Sequence, residues 1–268
     1  MKIIENQLYK LEKQEQKLLK KNRGLLQRNL ASALDKIKGR IPNSLEQKIN
    51  TIFEKAFYSV FEKGTPIIEK TYRKDEVKAK YIADNYVYDK LKNRRALRSI
   101  EKPSKKIKKW GKRIAFLEGA GLGFLGIGLP DIPLFLGVLL KGIYEICLSY
   151  GFDYTLYEEK LYILKLIRIA LASGDEKRSL NNELDLFGDE IEMNSWQGSL
   201  EMEIRSTSAR LSQELLAAKF IQGLPLVGIT GAIFNHEIYK KVTDLAAIKY
   251  KKRYLRGKIT KKTSLEVF

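Results

Sequence analysis

Cysteine, histidine and proline are scarce in these 268 residues: one Cys, one His and six Pro. The single cysteine, Cys147, excludes an intramolecular disulfide and a cysteine-based zinc site. It reads as a small apolar group buried on a helix. The single histidine, His236, excludes a His-cluster metal centre, and its place between Asn235 and Glu237 reads as structural. The scarcity of proline leaves long stretches free to be helical. The start of the chain, Met1 to Asn6, is too polar for a signal peptide, so an intracellular protein is expected. No serine, Ser206 and Ser208 included, has nucleophile-elbow spacing. No cofactor is expected.

What is present points to a packed helical chain. Hydrophobic residues make up 44% and charged residues 31%, with 14 Tyr and 11 Phe, which is not a disordered composition. The length suits one large domain or two closely packed ones. Neither a β-hairpin nor strand–helix alternation is visible. The expected fold is all-α: a single helical domain centred on two apolar hairpins broken by glycine and proline. Residues 1–42 read as a basic helical extension and 43–268 as the domain.

Charge is placed unevenly. Residues 1–113 hold 31 Lys/Arg against 13 Asp/Glu, a net of +18. Residues 114–248 hold 11 against 18, a net of −7, and residues 249–268 hold 8 against 1, a net of +7. Basic flanks around an apolar, mildly acidic middle suggest a polyanionic partner: an anionic membrane surface or nucleic acid.

Residues 2–38 read as a long polar helix with Ile4, Leu11, Leu18 and Leu25 at heptad spacing. Glu15, Asn22 and Asn29 on the alternate heptad positions argue against a coiled coil. After a break at 39–42, Asn43 or Ser44 can cap a helix whose buried face is Leu45, Ile49, Ile52, Phe53, Ala56, Phe57 and Val60. Gly64-Thr65-Pro66 should end it. A further helix is expected from Pro66 to about Ile100, with Ile67, Tyr81, Tyr86, Val87 and Leu91 as apolar contacts. Later helices are expected at 152–173, 202–220 and 235–256. The stretch 174–203 is polar and acidic, with four carboxylates between Asp185 and Glu192.

The apolar run Ile114–Leu140 is long enough to span a bilayer, yet three features argue against a span. Glu118 and Asp131 lie within it, and Pro130 and Pro133 break it. Only 12 residues separate the two carboxylates, which covers roughly 18 Å of a core of about 30 Å. Two helical arms joined at Pro-Asp-Ile-Pro are expected. The glycines of the first arm, Gly119, Gly121, Gly123, Gly126 and Gly128, suit close backbone packing, and Gly228 and Ala232 repeat the small-residue spacing. A second break falls at Gly223-Leu224-Pro225. Gly121 to Gly126 formally match G-x-G-x-x-G, but a lysine-rich helix precedes them where a dinucleotide site needs a strand.

Four carboxylates set beside apolar helices, Glu118, Asp131, Glu145 and Asp153, have two readings. They can converge on a divalent cation or on acid–base chemistry. The blander reading, which the placement favours, is that each caps a helix or pairs with a cation; Asp131 is suited to cap the second arm. The most basic window is Lys102, Lys105, Lys106, Lys108, Lys109, Lys112 and Arg113. Ile107 and Trp110 within it and Ile114 just after it share one helical face. Such an amphipathic basic segment suits an anionic bilayer surface. The tail, with Lys251, Lys252 and Arg253 between Tyr250 and Tyr254, offers a second contact.

Several segments are familiar as a set. Phe116-Leu117-Glu118-Gly119-Ala120, Gly-Leu-Pro-Asp-Ile-Pro, and Ile143 through Asp153 resemble the EcsC protein family of bacteria. Lys219 through Gly228, with Asn235 and Arg253-Tyr254-Leu255, fit the same pattern. The resemblance is strong over 114–170 and 215–256 and weak before 100 and over 174–203. It implies an intracellular bacterial protein whose namesake is encoded beside an ABC transporter. It implies no established activity.

The expected function is therefore non-enzymatic: a peripheral protein at the cytoplasmic face of the cell membrane, acting with a membrane transporter or on membrane homeostasis. The alternative is a cytosolic metal-assisted hydrolase using Glu118 and Asp131. Nucleic-acid binding ranks third, since no helix-turn-helix, zinc finger or RNP-type motif is present.

Overall fold

The computed structural model describes residues 2–20, 42–110, 131–221 and 232–266; the side chains of 108–110, 131, 218–221, 232–235 and 261–266 are outside this description. The fold is all-α, and every regular element among the described residues is helical.

Helix α1, Lys2–Lys20, uses its heptad face to reach the core. Leu11 is buried and Ile4, Leu8 and Leu18 pack against the core edge. The predicted continuation to residue 38 lies outside the described residues. Helix α2, Asn43–Ser59, buries Ile49, Phe53, Ala56 and Phe57. Pro42 occupies its cap position, so neither Asn43 nor Ser44 caps it.

The expected break at Gly64-Thr65-Pro66 is not a break. The chain widens into a π-helical turn, Val60–Gly64, and continues as α3, Thr65–Glu69. Pro66 brings no N–H, and the wider turn lets both the amide and the hydroxyl of Thr65 reach the Val60 carbonyl. The single helix expected to 100 is divided instead. Helix α4, Lys74–Leu91, ends at Lys92 in the left-handed region, φ 45°. Asn93 then caps α5, Arg94–Trp110, accepting the Ala96 N–H at 2.9 Å. Of the expected contacts only Tyr81 packs on the core; Ile67, Tyr86, Val87 and Leu91 face outward, and Tyr88 is buried instead.

Helix α6, Asp131–Ser149, is the second arm of the predicted hairpin, and Pro133 fits within its first turn. The first arm, its glycines and the Gly223-Leu224-Pro225 break lie outside the described residues. Among those described, α6 alone is long and apolar enough to cross a membrane, and 83% of its apolar window is buried within the protein. It packs against α2, α4, α5 and α10. Cys147 on α6 is fully buried, as its type suggests.

Helix α6 ends in a glycine-dependent turn. Phe152 N–H bonds to the Cys147 carbonyl and Gly151 N–H to that of Leu148, with Gly151 at φ 84°. A Cβ on Gly151 would overlap the Tyr81 ring. The remaining elements are α7, Tyr157–Leu171, buried nearly all round, α8, Gly174–Glu192, α9, Leu200–Ile221, and α10, Ala232–Glu266. Thus α10, about 50 Å long, runs past α1, α5, α6, α7 and α8.

Candidate functional site

Being enclosed by five helices decides the fate of the charged run on α10. Lys249, Lys251, Lys252 and Arg253 are 0%, 8%, 3% and 5% exposed. This corrects the expectation that Lys251, Lys252 and Arg253 present a basic tail to an anionic surface. A charge inside a helical core needs a partner, and each has one. Lys251 pairs with Glu101 at 2.7 Å. Lys252 lies 2.6 Å from Glu15 and 2.8 Å from Asp185, and Lys249 lies 2.6 Å and 2.7 Å from the same two residues. Arg253 reaches both oxygens of buried Glu159 at 2.9 Å, and the Tyr250 hydroxyl donates to Glu159 at 2.7 Å. Its guanidinium also lies against the Phe152 and Tyr162 rings. Tyr250 and Tyr254 are buried as well, so neither presents a ring on which a base can stack.

The acidic stretch thereby acquires a role. Helix α8 supplies Asp185 to Lys249 and Lys252, Asp189 to Arg256 and Glu192 to Arg253. Helix α1 supplies Glu15, so residues 2–20 share the core rather than extend from it.

The basic window on α5 is different. Lys102, Lys105 and Lys106 are exposed. Lys105 pairs with Glu101 at 2.8 Å, and Glu101 thereby joins α5 to Lys251 of α10. Burial raises the Glu101 carboxyl, but its two lysines outweigh that and hold it below the usual carboxylate range. Among the described residues no ion pair engages Lys102 or Lys106. The side chains of Lys108, Lys109 and Trp110, and all of Lys112 and Arg113, lie outside the described residues.

Lys102 and Lys106, four residues apart on one helical face, stand at a groove of about 560 Å³. Its walls come from the α3–α4 connection, α4, α5, α6 and α10. The apolar part includes Val77, Pro103, Ile107, Val138 and the Tyr239 ring. Tyr239 packs closely on α6 because residue 142 is glycine; a Cβ there would come within 2.7 Å of the Tyr239 hydroxyl. Most other charges of the groove are internally matched. Arg73 pairs with Glu76 at 2.8 Å and Lys80 with Asp84 at 2.7 Å. Lys141 donates to the Thr71 carbonyl at 2.9 Å and lies 3.9 Å from Glu145. Burial pushes the Lys141 ammonium down and the Glu145 carboxyl up, each opposed by the other's charge. Tyr154 donates its proton to Glu69 at 2.6 Å, so in the 2.8 Å contact between the hydroxyls Tyr72 is the donor. Tyr72 therefore has no proton left for a ligand, and Lys102 and Lys106 carry the surplus charge.

Of the four motif carboxylates, Glu145 and Asp153 have described side chains, and they take different partners. Asp153 accepts the Thr155 amide at 3.0 Å and hydroxyl at 2.7 Å, forming the turn before α7. Burial raises Asp153, but the Thr155 bonds with Lys78 and Lys74 hold it below its ordinary range. Glu145 lies in the groove. Glu118 and the Asp131 side chain are outside the described residues. No three His, Cys, Asp or Glu side chains among those described come together to hold a metal.

The basic window read from the sequence, Lys102 to Arg113, contains the two lysines that stand at the groove. Tyr72, Val77, Val138, Lys141 and Tyr239 escaped notice because each belongs to a different stretch with an ordinary helical pattern.

Comparison with known proteins sets this architecture among relatives. The chain is 26% identical over 147 residues to Protein EcsC of Bacillus subtilis (strain 168), covering 54% of this chain and 59% of that protein. It is 26% identical over 156 residues to the Uncharacterized protein YdbA of the same organism, covering 57% of each. The chain thus spans somewhat over half the length of the curated relatives it matches. No solved structure matches it. The model of the EcsC protein family matches residues 5–255, from within α1 almost to the end of the paired run on α10, and the chain belongs to that family.

Proposed function

We propose that this protein attaches peripherally to anionic membrane surfaces through α5 and performs no reaction there. One observation carries the reading: Lys102 and Lys106 are exposed, lie on one face, and border an apolar groove without an ion pair among the described residues. Each lysine near an anionic leaflet gains roughly 1 kcal/mol. The pair supplies about 2 kcal/mol, roughly a thirtyfold effect on binding. With Lys251, Lys252 and Arg253 of α10 buried, the reading rests on α5. The inner face of the cell membrane is the expected place, and the transporter implied by the family resemblance is the expected protein partner there.

Co-sedimentation with vesicles tests the proposal. Binding to phosphatidylglycerol vesicles, weak binding to phosphatidylcholine vesicles, and loss of the former in Lys102→Glu/Lys106→Glu support it. Equal binding by the wild type and this variant at low salt rejects it.

A further inference from the structure

We infer that the groove between α4, α5, α6 and α10 takes one phospholipid molecule with an anionic headgroup. Its phosphate lies on Lys102 and Lys106, and an acyl chain lies along Val77, Ile107, Val138 and the Tyr239 ring. This rests on the peripheral-membrane reading and deepens it, because a surface contact alone needs the lysines but not the groove.

Charge, lining and size converge on that occupant. Pairing of Arg73 with Glu76, of Lys80 with Asp84 and of Lys141 with Glu145 leaves two lysines to meet an incoming anion. Both stand on α5, one turn apart, beside Ile107 on the same helix. A phosphate bridging them points whatever is attached to it toward apolar walls. A free phosphate would leave those walls in water; a neutral lipid would leave the lysine pair unmatched. The volume of about 560 Å³ falls within the range of small-molecule sites, about 300–1,000 Å³.

The wall chemistry fits an acyl chain in detail. The Tyr72 proton is committed to Tyr154, so that hydroxyl does not compete for the headgroup. Gly142 lets the Tyr239 ring close on α6 as one wall.

The test separates the groove from the surface. The full chain is titrated with dihexanoyl-phosphatidylglycerol below its micelle concentration, where monomers are present but no bilayer. Dihexanoyl-phosphatidylcholine and glycerol phosphate are titrated in parallel, with native mass spectrometry counting bound molecules. Saturable one-to-one binding of dihexanoyl-phosphatidylglycerol, at least tenfold tighter than either control, is expected. Val138→Trp should weaken it at least tenfold while leaving phosphatidylglycerol vesicle binding within about twofold. Val77→Trp fills the groove from α4 and replaces that variant if its unfolding curve shows loss of folding. Lys102→Glu/Lys106→Glu should remove both kinds of binding. Vesicle binding without monomer binding overturns the groove and leaves the peripheral reading standing. Monomer binding unchanged in the tryptophan variants, or glycerol phosphate binding as tightly as the lipid, likewise overturns it. Failure to bind either vesicles or monomers overturns both.

Discussion

The Glu15 carboxylate of α1 and the Lys252 ammonium of α10 stand 2.6 Å apart across 237 residues of chain. Lys249 and Asp185 complete a set of two ammonium groups and two carboxylates, closed among three helices. Neutral as a whole, the set is costly to interrupt, because each member buries the others.

Glu15→Ala should therefore cost about 3–5 kcal/mol and loosen α1 first. Urea unfolding measures the loss, and limited proteolysis reads early cleavage within residues 2–20. A loss below about 1 kcal/mol would show that α1 is held by Leu11 and its apolar neighbours alone.

Arg253 and Glu159 should behave as a unit. Arg253→Met leaves the Glu159 carboxylate buried without its cation, at a cost of about 3–5 kcal/mol. The double variant Arg253→Met/Glu159→Gln should be more stable than Arg253→Met. Additive losses in a double-mutant cycle by urea denaturation would refute that coupling.

Gly151→Ala meets two obstacles, the left-handed backbone and the Tyr81 ring. A destabilisation of at least about 1–3 kcal/mol is expected from the backbone alone. Adding Tyr81→Ala should recover the part due to overlap and leave the backbone part. Thermal midpoints of the four proteins separate the two contributions, and equal midpoints for Gly151→Ala and wild type would contradict both.

Two carboxylates shift in opposite directions, and stability should follow each. Burial raises Asp185, but Lys249 and Lys252 outweigh it and leave the carboxyl depressed. Its contribution is present above the ordinary carboxylate value, about 4, and lost as pH falls through the depressed one. Asp185→Asn should thus lose stability at pH 7, with the difference closing in acid. Burial leaves Glu145 raised despite Lys141. Its folded form favours the proton, so the wild type is penalised as pH rises through the raised value. Glu145→Gln should be the more stable at pH 7 and equal to wild type below pH of about 4. Melting curves from pH 3 to pH 8 check both, and a pH-independent difference in either variant would refute its assignment.

Much of this protein was legible along the chain. Helical class followed from apolar spacing such as Ile49, Phe53 and Phe57, because that period depends on local geometry alone. The basic window holding Lys102 and Lys106 was legible from the density of its lysines. The family signature around Ile143 to Asp153 also carried its own explanation once folded: Gly151 makes the turn that ends α6, and Asp153 ties the next loop to Thr155.

Tertiary structure decided which charges are surface and which are core. Lys252 and Lys106 are the same residue type in similarly basic runs, yet one is buried among α1, α8 and α10 and the other is exposed. Nothing local distinguishes them, since burial depends on which helices arrive from positions such as Glu15 and Asp185. The groove was likewise absent from any single stretch, because its walls meet only where α4, α5, α6 and α10 pack. By itself the sequence determined helices, their apolar faces and the total charge. Only the packing decided how that charge was divided between ion pairs inside and lysines left at the surface.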